Sequence, residues 1–235
     1  SWFHLCDSEF NQPIRHAKEV CQSIIRAGLG DRLRWYCYCS PVPFDHDLIR
    51  LMKQAGCAGI NFGVDSLCDE QLLRLGRGHS TSDIKQLVSL LQDDEINYLF
   101  DLLVGGPGET EETVKTTIER VRELDIPLAG IASGVRIYPG TPLGKAIASG
   151  AVKGRLYPET GQPDHEPFFY VSPDLGDDIS ALIKELVAGD PRFLVLVSPE
   201  EERSYNYADD EALCNLIKEG ARGAYWDIIR RSTGR

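Results

Sequence analysis

Polar residues and glycines collect at five places where an apolar run of this chain ends. They are Asp7-Ser8-Glu9-Phe10-Asn11, Ser40-Pro41, Asp65-Ser66, Gly105-Gly106-Pro107-Gly108-Glu109-Thr110, and Arg136-Ile137-Tyr138-Pro139-Gly140-Thr141. Any one of them reads as an ordinary polar loop; five in succession favour a ligand site. The glycine turn has the most specific chemistry. Glycines let a backbone approach a ligand closely or take positive φ, and the helix opening behind them offers free N–H groups. No Gly-Lys-Ser/Thr ends the turn, so it is not a P-loop. A tight strand-to-helix connection, with Glu109 and Thr110 near the cap, explains the same residues equally well.

Other reactive residue types are less promising. Cys37 and Cys39 have a Cys-x-Cys spacing, but two sulfurs do not make a four-coordinate site, and core packing is the better reading. His4 and His16 read as packing or surface residues. His79, in Leu75-Gly76-Arg77-Gly78-His79-Ser80, reads equally as loop polarity or ligand contact. The lysines Lys18, Lys53, Lys85 and Lys115 fall in helices and loops, away from the strand ends where a barrel aldolase would need one.

The elements that must position these residues alternate. Trp2–Cys6 reads as a strand. Pro13 then suits a first helical turn, and apolar residues recur at helical spacing from Ile14 to Ile25 before Gly28 and Gly30. Strands are expected over Arg32–Ser40, Gly59–Ser66, Ile96–Gly105 and Gly130–Tyr138. Helices are expected from Asp45 to Gly56, over Asp69–Leu75 and Ser82–Asp93, over Glu109–Leu124 and over Thr141–Ser149. The Ile96–Gly105 run is almost wholly apolar, as in a strand covered on both faces. Five strand–helix units with short connections imply a parallel sheet curling into a whole or partial barrel, with ligands at the C-terminal strand ends. Within strands, alternation sets Tyr36 and Tyr38 with Ser40 on one face and Trp35, Cys37 and Cys39 on the other. Residues 1–150 form this barrel, and 151–235 a C-terminal α+β extension. In the extension, 151–173 reads as irregular. A helix over Asp177–Val187, a strand over Phe193–Val197 and helices over Asp210–Glu219 and Ala224–Arg230 follow.

The formal net charge of −11 argues against a broad phosphate-binding surface, hence against nucleic acid. No apolar run is long enough to span a bilayer, and no signal-peptide pattern opens the chain, so no membrane partner is expected. Seven scattered cysteines in 235 residues suit reduced thiols in a cytoplasm better than a disulfide scaffold. The chain opens directly into a strand and its one methionine is Met52, which reads as a piece lacking at least one upstream element.

The segments DSEFN, GVDSLCDEQLLRLGRGHS, DLLVGGPGETEETVKTT and GVRIYPGTPL, in this order and spacing, resemble the later strands of radical S-adenosylmethionine (radical SAM) enzymes. The subgroup with an upstream cobalamin-binding domain is the most similar. The resemblance covers roughly Trp2–Gly150, and more faintly the tail around NYADDEALCNLIKEGARGAYWDI. It implies an α/β fold, a partial (β/α)6 TIM-like barrel, here with its first β/α unit missing. In the family that unit carries a C-x-x-x-C-x-x-C loop for a 4Fe–4S cluster with one open iron. One electron from the cluster cleaves S-adenosylmethionine to a 5′-deoxyadenosyl radical. No cysteine triplet of that spacing occurs here, so no metal ligand is assigned in this chain.

Position by position, the resemblance implies cofactor-binding roles. Asp7 or Glu9 receives the cofactor's amino group, and Ser40 stands at the next strand end. Asp65 and Ser66 lie near ribose and carboxylate, and Arg77 pairs with a carboxylate. Gly105 and Gly106 match the fifth-strand segment. Tyr138, Pro139 and Gly140 match the sixth, where adenine stacks on backbone, and Arg136 contacts cofactor or substrate. The implied cofactors are S-adenosylmethionine, a 4Fe–4S cluster held outside this chain, and cobalamin through an upstream domain. The implied reaction is methyl transfer or rearrangement of a small-molecule substrate, by a parent enzyme of which this chain is an inactive barrel fragment. A cluster-less SAM- or ligand-binding module and an unrelated β/α-barrel lyase are the alternatives.

Overall fold

A computed structural model of the chain describes residues 1–157, 168–197 and 211–233. In chain order the elements are β1 (Trp2–His4), α1 (Ile14–Arg26), β2 (Arg34–Cys39), α2 (His46–Gln54), β3 (Cys57–Asp65), α3 (Asp69–Arg74), α4 (Thr81–Asp93), β4 (Tyr98–Val104) and α5 (Glu111–Glu123). There follow β5 (Ala129–Ser133), β6 (Val135–Ile137), α6 (Pro142–Ala148), β7 (Arg155–Tyr157), β8 (Phe168–Val171), α7 (Ile179–Val187), β9 (Phe193–Val197), α8 (Glu211–Lys218) and α9 (Tyr225–Ser232). A parallel six-stranded sheet takes the order β1-β2-β3-β4-β5-β9, and a three-stranded antiparallel sheet the order β6-β8-β7. The alternating α/β architecture expected from the sequence is present, as a sheet whose outer strands are β1 and β9.

Two compact units divide the chain. The first comprises Ser1–Val64, Ser82–Phe100 and Asn206–Arg235; the second comprises Asp65–Thr81 and Asp101–Tyr205. In the first unit the alternation of β2 does what the sequence required. Trp35, Cys37 and Cys39 are buried on one face, where Trp35 Nε1 donates to the Ala55 carbonyl at 2.8 Å. Burial pushes the Cys21 thiol of α1 up to about 12, and holds Cys37 well above its ordinary value, so these sulfurs stay protonated core atoms. On the other face Tyr36 meets Trp226 edge-on at 5.8 Å and donates to Asp227 Oδ2 at 2.6 Å. Gly59 makes room for that tryptophan, because a Cβ there would lie 2.6 Å from Trp226 Cη2. Phe62 packs edge-on to Phe100 at 5.9 Å and completes the core. Each such buried apolar side chain contributes roughly 1.5–3 kcal/mol.

In the second unit, side-chain caps set the helix starts. Thr110 accepts from the Thr113 N–H and is answered by Thr113 in a capping box. Thr141 caps α6 with Pro142 behind it, and Asp178 caps α7. Three expectations are corrected here. The single strand over 130–138 breaks at Gly134, whose φ of 85° turns the chain while its N–H donates to Val104 O at 2.7 Å. β6 thereby leaves the parallel sheet and pairs with β8, Val135 opposite Tyr170. The stretch read as irregular contains β7 and β8, and its residues 158–167 lie outside the described residues. The strand Phe193–Val197 runs parallel to β5, Ala129 opposite Phe193, and supplies the sixth strand of the main sheet.

Candidate functional site

Asp7, Glu9 and Ser40 belong to the first unit. Asp7 is exposed and Glu9 half-buried on the turn after β1, where Gln12 N–H closes on Glu9 O at 2.9 Å. Phe10 N–H donates to Tyr38 O and carries this turn onto the end of β2. Ser40 is held by a residue that the sequence did not single out as a site. Fully buried Asn11 accepts from Ser40 N–H at 2.9 Å and donates through Nδ2 to the carbonyls of Ser40 and Pro43, at 2.9 and 2.8 Å. Its four-residue distance from Asp7 in DSEFN was the available signal.

The remaining candidates belong to the second unit. Asp65 closes β3 in the left-handed region, φ 61°, which a non-glycine residue adopts at a cost. Its buried carboxylate forms an ion pair with Arg77 Nε, although Oδ2 finds no partner of hydrogen-bond geometry. Burial pushes the Asp65 carboxyl up, and Arg77 and His79 hold it partly back down. So Arg77 is paired inside the protein, and the buried His79 stands in the same cluster. Ser66 is committed locally: its hydroxyl meets Thr117 Oγ1 at 3.0 Å and accepts from Cys68 N–H at 3.1 Å.

Gly105 and Gly106 are buried at the end of β4, and Glu109 governs them. Glu109 Oε2 accepts from Gly105 N–H at 2.6 Å and from Gly106 N–H at 2.9 Å. Desolvation pushes this carboxyl up to about 7, against the pull of those two N–H groups and of Arg74. Gln71 of α3 lies so close to Gly106 that any Cβ there would collide with its amide. Gln71 is wholly buried, and neither its nitrogen nor its oxygen has a hydrogen-bond partner among the described residues. Glu109 and Gln71 were both missed as site residues. The glycines could have flagged them, since a glycine pair beside an acid often means backbone N–H groups in use. Arg136, Tyr138, Pro139 and Gly140 follow the break at Gly134 and are exposed on and after β6, with the Arg136 guanidinium 5.2 Å from the Tyr138 ring centre. The structure therefore joins Asp65 to Arg77, and Arg136 to Tyr138, and leaves the Asp7 and Glu9 carboxylates without a side-chain partner among the described residues.

Residues 6–121 match the model of the Radical SAM superfamily. The chain belongs to the radical SAM superfamily. Tryptophan 2-C-methyltransferase of Streptomyces laurentii is 28% identical to it across 95% of this chain and 47% of that protein. The solved structure of the radical S-adenosylmethionine methyltransferase TsrM from Kitasatospora setae, with cobalamin and a [4Fe-4S] cluster bound, superposes with a TM-score of 0.80 at 28% identity. It covers 99% of this chain and 53% of that one. A second TsrM structure, with tryptophan substrate and the SAM analog aza-SAM bound, gives 0.81 at the same identity, over 98% of this chain and 53% of that one. The chain thus spans about half the length of the relatives it matches.

Two radical SAM cofactors can be tested against these residues. A 4Fe–4S cluster does not fit: no C-x-x-x-C-x-x-C occurs in the sequence, and among the described residues no three His, Cys, Asp or Glu side chains converge to hold a metal. S-adenosylmethionine fits better. A ligand bearing hydroxyl, amino and carboxylate groups suits strand ends that carry an orphaned buried amide at Gln71, a buried carboxylate at Asp65 and side-chain-free backbone at Gly105 and Gly106. Among the described residues no helix is long and apolar enough to cross a membrane.

Proposed function

We propose that this chain is the S-adenosylmethionine-binding barrel of a cobalamin-linked radical SAM methyltransferase acting on a small molecule. The observation that carries the reading is the likeness to TsrM at a TM-score of 0.80 and 28% identity, which runs through 99% of the chain, the C-terminal helices included. S-adenosylmethionine supplies the activated methyl and adenosyl groups when bound. The residues of this chain bind and orient it. Asp7 and Glu9 provide carboxylates for its ammonium group. Asp65 takes ribose hydroxyls, and Arg77 swings between Asp65 and the cofactor's carboxylate. Ser66, already bonded to Thr117, positions the turn rather than the ligand. Glu109 fixes the backbone of Gly105 and Gly106 so that the glycine turn presents a constant surface. Tyr138, Pro139 and Gly140 form the adenine shelf, with Arg136 over Tyr138. Cobalamin and the cluster belong to parts of the protein other than this chain. Seven free thiols suit a reducing cytoplasm, which is the location we assign.

The test is anaerobic iron and sulfide analysis of the intact protein, with its visible spectrum, followed by methyl transfer from isotopically labelled S-adenosylmethionine. Stoichiometric iron and label in a small-molecule product are expected. A folded intact protein that binds S-adenosylmethionine but holds no iron would replace this reading with that of a cluster-less binding module.

A further inference from the structure

The antiparallel sheet of the second unit carries two arginines on one face, each laid against a tyrosine. Phe169 in β8 stands opposite Arg136 of β6 on one side and opposite Tyr157 of β7 on the other. Directly opposed residues of an antiparallel pair share a face, and alternation adds Arg155 and Val171, also opposite each other, to that face. The Arg136 guanidinium lies 5.2 Å from the Tyr138 ring centre, and the Arg155 guanidinium 5.9 Å from that of Tyr157. Arg136 and Tyr138 are exposed, Arg155 and Tyr157 half-buried, and Val171 fully buried. The face therefore runs from solvent at β6 inward to Arg155.

Arg155 takes no part in the site described above. Its Nη1 donates to the Asp177 carbonyl at 2.5 Å. Its Nε and Nη2 are buried, and neither has a hydrogen-bond partner among the described residues. These two nitrogens form the side-on edge of the guanidinium, where two parallel N–H groups match the two oxygens of a carboxylate or phosphate. Carboxylates are plentiful in this chain, 36 against 25 Lys and Arg. The half-buried Arg122, Arg192 and Arg230 each hold one. Among the described residues Arg155 and Arg136 hold none. The acids near the Asp177 contact, Asp174, Asp177 and Asp178, are exposed, and Asp178 is spent on capping α7. Water can accept from the fork but cannot offset its charge, and a charge kept from solvent is costly unless paired. The Tyr157 ring covers the face of the guanidinium and leaves its edge unanswered.

We infer that the Nε–Nη2 edge of Arg155 binds the carboxylate or phosphate group of a small-molecule ligand other than S-adenosylmethionine. Arg136, on the same face, adds a second positive charge on the way in, and Phe169 and Tyr157 form an apolar floor between the two. Arg77, on the turn after α3, is the cofactor's carboxylate partner in the proposed function, which leaves Arg155 for a different anion. The site concerns binding alone and holds whether or not its ligand is the methyl acceptor.

The experiment is equilibrium dialysis of radiolabelled benzoate and phenyl phosphate against the intact protein, with neutral benzamide beside them. It is repeated on Arg155→Lys, Arg155→Met and Lys85→Met. Saturable anion binding at low millimolar concentration or below is expected, and the tighter-bound of the two probes names the group. Arg155→Lys keeps a cation for the Asp177 carbonyl but loses the fork, and weakens binding roughly tenfold, the worth of one charge-assisted hydrogen bond. Arg155→Met abolishes binding. Lys85→Met, which removes an exposed charge from α4, leaves it unchanged. Should Arg155→Met fail to fold, Arg155→Lys carries the test. Equal affinity in the parent and Arg155→Lys overturns the inference, as does benzamide bound as tightly as the anions. Displacement of the probe by saturating S-adenosylmethionine overturns it too, by placing the fork in the cofactor site. No anion binding at several millimolar also overturns it, and means that another part of the intact protein fills the fork. Labelled methyl transfer is read separately, so the loss of this site leaves the proposed function to stand or fall on its own assay.

Discussion

Glu109 makes the stability of this protein fall as pH rises through the neutral range. Its carboxyl is 1% exposed and is pushed from an ordinary 4.5 up to about 7 by burial. Below pH 4.5 folded and unfolded chains both hold the proton, and the contribution of the neutral acid is fully present. Between 4.5 and 7 the unfolded chain releases it while the folded one keeps it, so stability is lost as pH climbs through the folded value. At about 1.4 kcal/mol per pH unit, the loss reaches about 3 kcal/mol above pH 7. Glu109→Gln keeps an acceptor for the N–H groups of Gly105 and Gly106 but cannot ionise. The variant should nearly match the parent at pH 4, lead it by just under ~1 kcal/mol at pH 5 and exceed it by about 3 kcal/mol at pH 8. Guanidinium unfolding followed by tryptophan fluorescence at pH 4, 5, 6, 7 and 8 measures the difference. Asp65 is raised by burial too, but it contributes equally to both proteins and cancels. A difference that stays flat with pH, or a parent that gains on the variant at pH 8, would refute the reasoning. The latter would mean that the two N–H groups and Arg74 outweigh desolvation.

Asn11→Ala removes three hydrogen bonds from a wholly buried position and should cost about 3 kcal/mol in chemical denaturation; Asn11→Asp, which keeps the acceptor for Ser40 N–H but turns a buried carboxylate oxygen toward the carbonyls of Ser40 and Pro43, should cost no less. Gly59→Ala drives a Cβ into Trp226, so a cost of about 1–3 kcal/mol and a shift in tryptophan emission are expected. Unchanged emission would mean that the indole is not seated there. Asp227 is buried beneath Tyr36, Arg230 and Arg231. Asp227→Ala leaves those donors unanswered and should cost about 3–5 kcal/mol, read from the same denaturation curves. On the functional side, Asp65→Asn should weaken S-adenosylmethionine binding to the iron-loaded intact protein roughly tenfold, by equilibrium dialysis, with iron content unchanged.

The order of strands and helices could be read from the chain because hydrophobic periodicity and caps are local. Asp45, Thr110 and Thr141 each cap the helix that the sequence starts there, and Trp35, Cys37 and Cys39 are buried together on one face of β2 as period-two alternation requires. The radical SAM membership was also legible, because its motifs are contiguous runs at strand ends. What failed was non-local. Residues 130–138 look like one apolar strand, and only the hydrogen bond from Gly134 to Val104 reveals the break that sends Val135–Ile137 to a different sheet. Phe193–Val197 was recognisable as a strand, but its place beside Ala129–Ser133 depends on a partner some sixty residues away. The polar machinery was hidden for the same reason. Glu109 reads as a helix-start acid until burial and two glycine N–H groups surround it, and what surrounds Asn11 and Gln71 comes from other segments of the chain. Periodicity fixes which residues are turned inward, since it needs only the geometry of one strand or helix. Which polar atoms are left dry, paired or orphaned is decided by side chains brought together from distant segments, and only the packed tertiary structure specifies that.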